Sequence, residues 1–126
     1  MTTIKVVAEA PVRQPDPEMA TLFHALSEPT RLEILTHLGS GEHRVRDLVE
    51  HLGLAQSTVS KHLACLRDCG LVAVRPQGRS SWFFLAAPEL LSDLLDATDA
   101  FVRGTGIGPS LRTHHDEVDA TIEGGA

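Results

Sequence analysis

Residues 56–70 read Gln56-Ser57-Thr58-Val59-Ser60-Lys61-His62-Leu63-Ala64-Cys65-Leu66-Arg67-Asp68-Cys69-Gly70. On a helix turning about 100° per residue, Val59, Leu63 and Leu66 share one narrow face, and Ser57, Lys61, Ala64 and Asp68 fall roughly opposite. One side is built to pack and the other to meet something polar. The polar side carries hydroxyls, an amide and a cation near the helix start and has no large apolar residue, which suits insertion into a DNA major groove. Cys65 and Cys69, the two cysteines of the chain, lie on the flank between these faces. A sensor and a reader would then share one element.

Immediately before this stretch, Gly53, Leu54 and Ala55 form a glycine-containing turn after a short helix over Val45 to Leu52, whose apolar residues are Val45, Leu48, Val49 and Leu52. Two helices joined this way have the length of a helix-turn-helix. After Gly70 the period changes. Leu71, Val72 and Val74 favour a strand, Pro76-Gln77-Gly78 reads as a turn, and Ser80 to Leu85, with Trp82, Phe83 and Phe84, reads as a second strand. A hairpin directly after a helix-turn-helix is a wing, and Arg75 and Arg79 stand beside its tip, where a duplex backbone would pass. The expected fold class is therefore mainly α with a small β-hairpin: a winged helix-turn-helix.

Further out, Asp16-Pro17-Glu18 supplies a cap, a first-turn proline and an early acid, followed by Met19, Leu22, Phe23 and Leu26 at helical spacing. Ser27-Glu28-Pro29 starts a second helix, with Leu32, Ile34, Leu35 and Leu38 apolar until Gly39. Pro88-Glu89 opens a last helix to about Arg103, with Leu90, Leu91, Leu94, Leu95, Thr98, Phe101 and Val102 on a broad apolar side. That surface exceeds what a small winged domain needs, so a homodimer through the first and last helices is expected, with packing into the chain's own core as the alternative. The division expected is an N-terminal arm over 1–15, the winged domain over 16–103, and a flexible tail over 104–126 that holds His114 and His115.

In a chain of 126 residues with 42% hydrophobic content and no Tyr, the core must be mostly Leu, Val and Ala, which favours helices. Two cysteines, and no apolar leader over Met1 to Pro15, argue against a secreted disulfide scaffold. No apolar run approaches the roughly 18 residues a membrane span needs, so a cytoplasmic protein is expected. The net charge of −6 is unevenly spread: Lys61, Arg67, Arg75 and Arg79 against Asp68 give +3 between Gln56 and Trp82, leaving −9 elsewhere. A basic strip on an acidic body takes phosphates while limiting non-specific binding. No paired-acid, nucleophile-base or phosphate-loop pattern is present, and Cys-x3-Cys is not the redox-enzyme spacing, so an enzyme is not expected.

Three motifs in order, Leu26-Ser27-Glu28-Pro29-Thr30-Arg31-Leu32-Glu33-Ile34-Leu35, then Gln56-Ser57-Thr58-Val59-Ser60-Lys61-His62-Leu63, then Leu66-Arg67-Asp68-Cys69-Gly70-Leu71-Val72, resemble the ArsR/SmtB family of metal-responsive repressors over about Glu18 to Arg103. The resemblance implies a homodimeric repressor that leaves a palindromic operator when an inducer binds, with Gln56, Ser57, Ser60 and Lys61 facing the DNA. The residues agree independently. Ser57, Ser60 and Lys61 lie near a helix N-terminus that attracts phosphate, Gln56 suits bidentate reading of adenine, and Thr58 and His62 complete the candidate surface. For Ser57 a simple helix cap is the alternative; for His62 it is a hydrogen bond to a backbone carbonyl.

Cys65 and Cys69 are four apart, so their Cβ atoms stand on the order of 6 Å from one another and two thiolates can converge on one soft ion. A further ligand is required, and His114 and His115 are candidates. The segment Cys65-Leu66-Arg67-Asp68-Cys69-Gly70 is similar to the cadmium- and lead-sensing CmtR branch, which implies two thiolates from this helix and a third from the tail; Ser110 falls where that third cysteine would be. The family's arsenic-type cysteine pair has no counterpart in Val45 to Leu52, and its zinc-type histidines are absent from Ala87 to Arg103. The expected cofactor is a soft divalent ion (cadmium, lead or zinc). A buried or redox-active thiol pair, a non-metal inducer, and a winged helix that binds an acidic protein partner stay open.

Overall fold

The computed structural model describes Gln14 and residues 16–112. In order they form α1 (Pro17–Leu26), α2 (Pro29–Leu38), α3 (Val45–Leu52), α4 (Gln56–Asp68), β1 (Val72–Gln77), β2 (Ser80–Leu85) and α5 (Pro88–Thr105). The expected winged helix-turn-helix is present. The chain divides after Ala86 into two compact units, and each is described by itself.

In the first unit each helix start has a local cause. Asp16 Oδ1 accepts from the Glu18 N–H at 2.9 Å, and Glu28 Oε2 accepts from the Arg31 N–H at 2.9 Å. Both cap helices whose first residue is proline, which loses no bond there. Arg31 then reaches back: Nε donates to the Ala25 carbonyl at 2.7 Å and Nη2 to the His24 carbonyl at 3.1 Å. Both carbonyls lie in the last turn of α1, where the His24 carbonyl also accepts from the Ser27 N–H and hydroxyl, so one guanidinium fastens α2 to α1. The core is Ile34, Leu35 and Leu38 of α2, Leu48 of α3, Val59, Leu63 and Leu66 of α4, and Val72 of β1, with Ala25 of α1. Each large side chain buried this way contributes about 1.5–3 kcal/mol.

Gly53 closes α3 with φ 66°, donating its N–H to the Val49 carbonyl at 2.9 Å. This left-handed cap is what lets α4 start three residues later. The wing pairs antiparallel from Val72↔Leu85 to Gln77↔Ser80 around Gly78 (φ 62°) and Arg79. Here the structure corrects the expected turn: Pro76 lies inside β1, opposite Ser81. Gln77↔Ser80, next to a two-residue turn, is a hydrogen-bonded pair, so the next pair points its backbone groups outward and proline's missing N–H costs nothing. On the other side of β2, His43 exchanges two backbone bonds with Phe83, at 3.0 and 2.8 Å, so the α2–α3 loop adds a one-residue bridge to the wing.

In the second unit α5 runs to Thr105, slightly past the expected end, and stops at Gly106 (φ 71°). Residues 108–112 form a further helical stretch inside the segment expected as flexible tail. Pro109 sits in the first turn of that stretch, where proline is tolerated. Leu91 is buried, whereas Leu90 is 72% and Phe101 62% exposed. Among the described residues no helix is long and apolar enough to cross a membrane.

Candidate nucleic-acid interface and cysteine pair

The N-cap of α4 is Ala55, whose side chain cannot cap, and the first intrahelical bonds are from Thr58 and Val59 to the Ala55 carbonyl at 3.1 Å. Ser57 is therefore the second residue of the helix and not its cap. The Gln56 and Ser57 amides, ahead of the first of these bonds, are left for an external acceptor, which suits this end to an anion. Around it Gln56, Ser57, Ser60 and Lys61 are exposed, and Thr58 is half-buried. The opposite face is sealed, with Val59, Leu63 and Leu66 at 0–1% exposure.

His62 does not join the exposed row. It comes three residues after Val59 and four before Leu66, on the inward stripe, and its side chain is only 14% exposed. Its Nε2 lies 3.8 Å from Oε2 of Glu28, the N-cap of α2, and its Nδ1 is buried without a hydrogen-bond partner among the described residues. The backbone carbonyl bond offered as the alternative for His62 is not made among the described residues, and the ring faces Glu28 from the half-buried side of α4.

On the wing Arg79 is exposed at the turn. Arg75 is exposed too but engaged: Nε and Nη2 donate to Glu42 Oε2 at 3.0 and 2.9 Å, and Nη1 donates to Gln77 Oε1 at 2.9 Å. An exposed ion pair of this kind is worth about 0–1 kcal/mol, so a phosphate competes with Glu42 on even terms. Arg44, unmarked in the sequence, holds the wing to α3. Its guanidinium stands 4.8 Å from the centre of the Trp82 ring and donates to both carboxylate oxygens of Asp47 at 3.0 Å. Asp47 also accepts from the Arg44 N–H at 2.9 Å, and these bonds hold its carboxyl down to about 2. Asp47 is a local partner of Arg44, three residues on at the helix start, but the Trp82 contact of Arg44 and the Arg75 contact of Glu42 join groups 38 and 33 positions apart, which no sequence signal announced.

Cys65 and Cys69 are free, half-buried thiols close enough for a hydrogen bond between them. The Cys69 thiol is pushed up, first by burial, then by its Cys65 neighbour and by Asp68, while the Arg31 charge opposes the shift. Cys69 is thus held toward its neutral thiol, from which an incoming ion must displace a proton. Two adjacent sulfurs fit half of a soft-metal site. Among the described residues no three His, Cys, Asp or Glu side chains surround one point closely enough to hold an ion as they stand. Ser110 is exposed on the 108–112 stretch, and His114 and His115 lie outside the described residues.

The family model for bacterial regulatory proteins of the arsR family matches residues 28–74, which run from the cap of α2 through α3 and α4 into β1. The chain belongs to the arsR family. It is 41% identical over 83 residues to a probable mercury resistance operon repressor of Streptomyces lividans, covering 66% of each chain. It is 46% identical over 72 residues to the transcriptional regulator CmtR of Mycobacterium tuberculosis, covering 57% of this chain and 61% of CmtR. The solved structure described as a cadmium metal-sensor, CmtR of M. tuberculosis, superposes with a TM-score of 0.51 at 44% identity, over 60% of this chain and 81% of that one. A homodimeric winged helix-turn-helix domain from Mycobacterium bovis, a possible ArsR-family regulator, gives a TM-score of 0.61 at 26% identity, over 71% and 92% of the two chains. The chain spans 61–66% of the length of these curated relatives. The arsR family and these relatives are transcriptional regulators and not enzymes.

Proposed function

We propose that this arsR-family chain is a homodimeric repressor that holds a palindromic operator through one α4 helix per half-site and leaves it when a soft divalent ion binds Cys65 and Cys69. The observation that carries this reading is α4 itself. Its uncapped N-terminus is ringed by exposed Gln56, Ser57, Ser60 and Lys61, and its last turn holds the two adjacent thiols. Lys61, Arg79 and, once released from Glu42, Arg75 neutralise phosphates, Gln56 reads a base edge, and Thr58 lends its hydroxyl at the margin.

When bound, the ion supplies a positive centre that makes two thiolates the favoured form of the pair. The chain's own groups then respond. A divalent ion that replaces two thiol protons leaves the net charge of the pair unchanged, so the response is one of geometry. Arg31, whose charge favours the Cys69 thiolate, eases the loss of that proton. Drawing Cys65, Cys69 and a further donor onto one centre constrains the end of α4 and disturbs the spacing of about one helical turn that two half-sites demand. Coupling of this kind is typically worth about 1–3 kcal/mol per effector. His114 and His115 are the proposed further donors.

Fluorescence anisotropy of a labelled DNA fragment from upstream of the protein's own gene tests the reading, with Cd(II) and Pb(II) added to the wild type and to Cys65→Ser. The variant should bind DNA as the wild type does and stay bound when the metal arrives. Equal release by both would remove the pair from the mechanism. Release by a thiol oxidant and not by metal would favour an oxidation switch at the pair.

A further inference from the structure

Away from the cysteines, three imidazoles from different parts of the first unit meet where the α2–α3 loop joins the wing. His37 lies in the last turn of α2, His43 in the loop that bridges to Phe83, and His51 in the last turn of α3. Their ring centres are 5.3 Å apart for His43 and His51, 5.5 Å for His37 and His51, and 6.4 Å for His37 and His43. The Nδ1 of His37 donates to the Glu33 carbonyl at 2.9 Å, and that of His43 to the Gly41 carbonyl at 2.8 Å. A carbonyl only accepts, so both protons are on Nδ1 and, in the neutral rings, both Nε2 atoms carry a free lone pair. A backbone carbonyl on one ring nitrogen is how metal-bound histidines are commonly oriented. His51 is exposed and makes no hydrogen bond to any described residue; with His37, Glu33 and Thr36 it lines an open groove of about 400 Å³.

A ring nitrogen about 2.1 Å from a metal ion puts the ring centre roughly 3.2 Å from that ion. The three ring centres share a point about 3.4 Å from each, so the spacing is already near what one ion requires. The nitrogens themselves do not yet surround a point. Turning the His51 ring is the cheapest adjustment, because it is exposed and has no hydrogen bond to break. The wing and both helices hold the other two rings.

We propose that His37, His43 and His51 form a metal site, separate from the cysteine pair, for a divalent ion that favours imidazole (zinc, nickel, cobalt or copper), with water or Glu33 in the open position. Such an ion ties the ends of α2 and α3 to the loop that bridges β2, and so braces the first helix of the helix-turn-helix against the wing. It binds the folded chain alone and raises its melting temperature.

The test uses the reduced, full-length protein carrying Cys65→Ser, Cys69→Ser, His114→Gln and His115→Gln, so that neither thiols nor tail histidines contribute. Titration with Co(II), followed by its visible absorption, should saturate at one ion per chain with Kd tighter than about 10 μM, and Zn(II) should displace it. Adding His51→Gln, or separately His43→Gln, should weaken binding by at least about tenfold. His51 is exposed at a helix end, so an unchanged circular dichroism spectrum is expected for its variant. No saturable Co(II) uptake, or uptake equal in the His51→Gln protein, would overturn the proposal.

Discussion

At the scale of the residue, Asp47 shows how much one side chain can carry when three bonds converge on it. It takes the Arg44 backbone N–H and both arms of the Arg44 guanidinium, and its carboxyl lies at about 2 against an ordinary 3.8. A folded-state value below the unfolded one means that the stability Asp47 contributes is fully present above 3.8 and is lost as pH falls from there toward about 2. Asp47→Asn should lower stability at pH 7 by about 1 kcal/mol, and the difference from wild type should vanish toward pH 2. Urea unfolding at pH 7, 4 and 2.5 measures both. Arg44 and Asp47 are three residues apart at a helix start, a spacing that lets them meet locally, but the sequence alone does not mark out this pair among its charges. What selects them is Trp82, 38 positions after Arg44, which fixes the guanidinium from its other side.

At the scale of the element, α4 is where sequence and structure agree most closely, because a helix is a local object and its inward stripe follows from the 3.6-residue period. Val59, Leu63 and Leu66 are sealed as the wheel requires, and the same period brings Cys65 beside Cys69. Leu66 is fully buried, so Leu66→Ala should cost about 2–5 kcal/mol in chemical denaturation and reduce DNA binding only through the unfolded fraction. Lys61→Ala, on the opposite face, should leave stability unchanged and lower the slope of log affinity against log salt by about 1. Departures from the expected elements arise at prolines. Pro76 continues a strand and Pro109 begins a helical stretch, because proline forbids only the bonds its N–H would make, and at neither position is that bond required.

At the scale of the whole molecule, apolar surface is left over. Met19 and Phe23 on α1, and Leu90 and Phe101 on α5, are 40–72% exposed in the single chain. We take this as the dimer surface. Phe101→Asp should shift the protein toward monomer in sedimentation velocity and weaken operator binding by at least about tenfold, since two half-sites would no longer be engaged together. A monomeric wild type at micromolar concentration would reject that assignment.

By itself the sequence determined the order of the elements, the winged helix-turn-helix, the outward row of Gln56, Ser57, Ser60 and Lys61, and the adjacency of the two cysteines. All of these follow from periodicity and caps within a few residues of chain. Only the tertiary structure decided that His62 faces Glu28, that Glu42 holds Arg75, that Arg31 binds the end of α1 within electrostatic reach of Cys69, and that His37, His43 and His51 meet. These are meetings of groups that the chain keeps apart on different elements. They come together because the shared leucine core fixes how α2, α3, α4 and the wing pack, a constraint that no local pattern expresses.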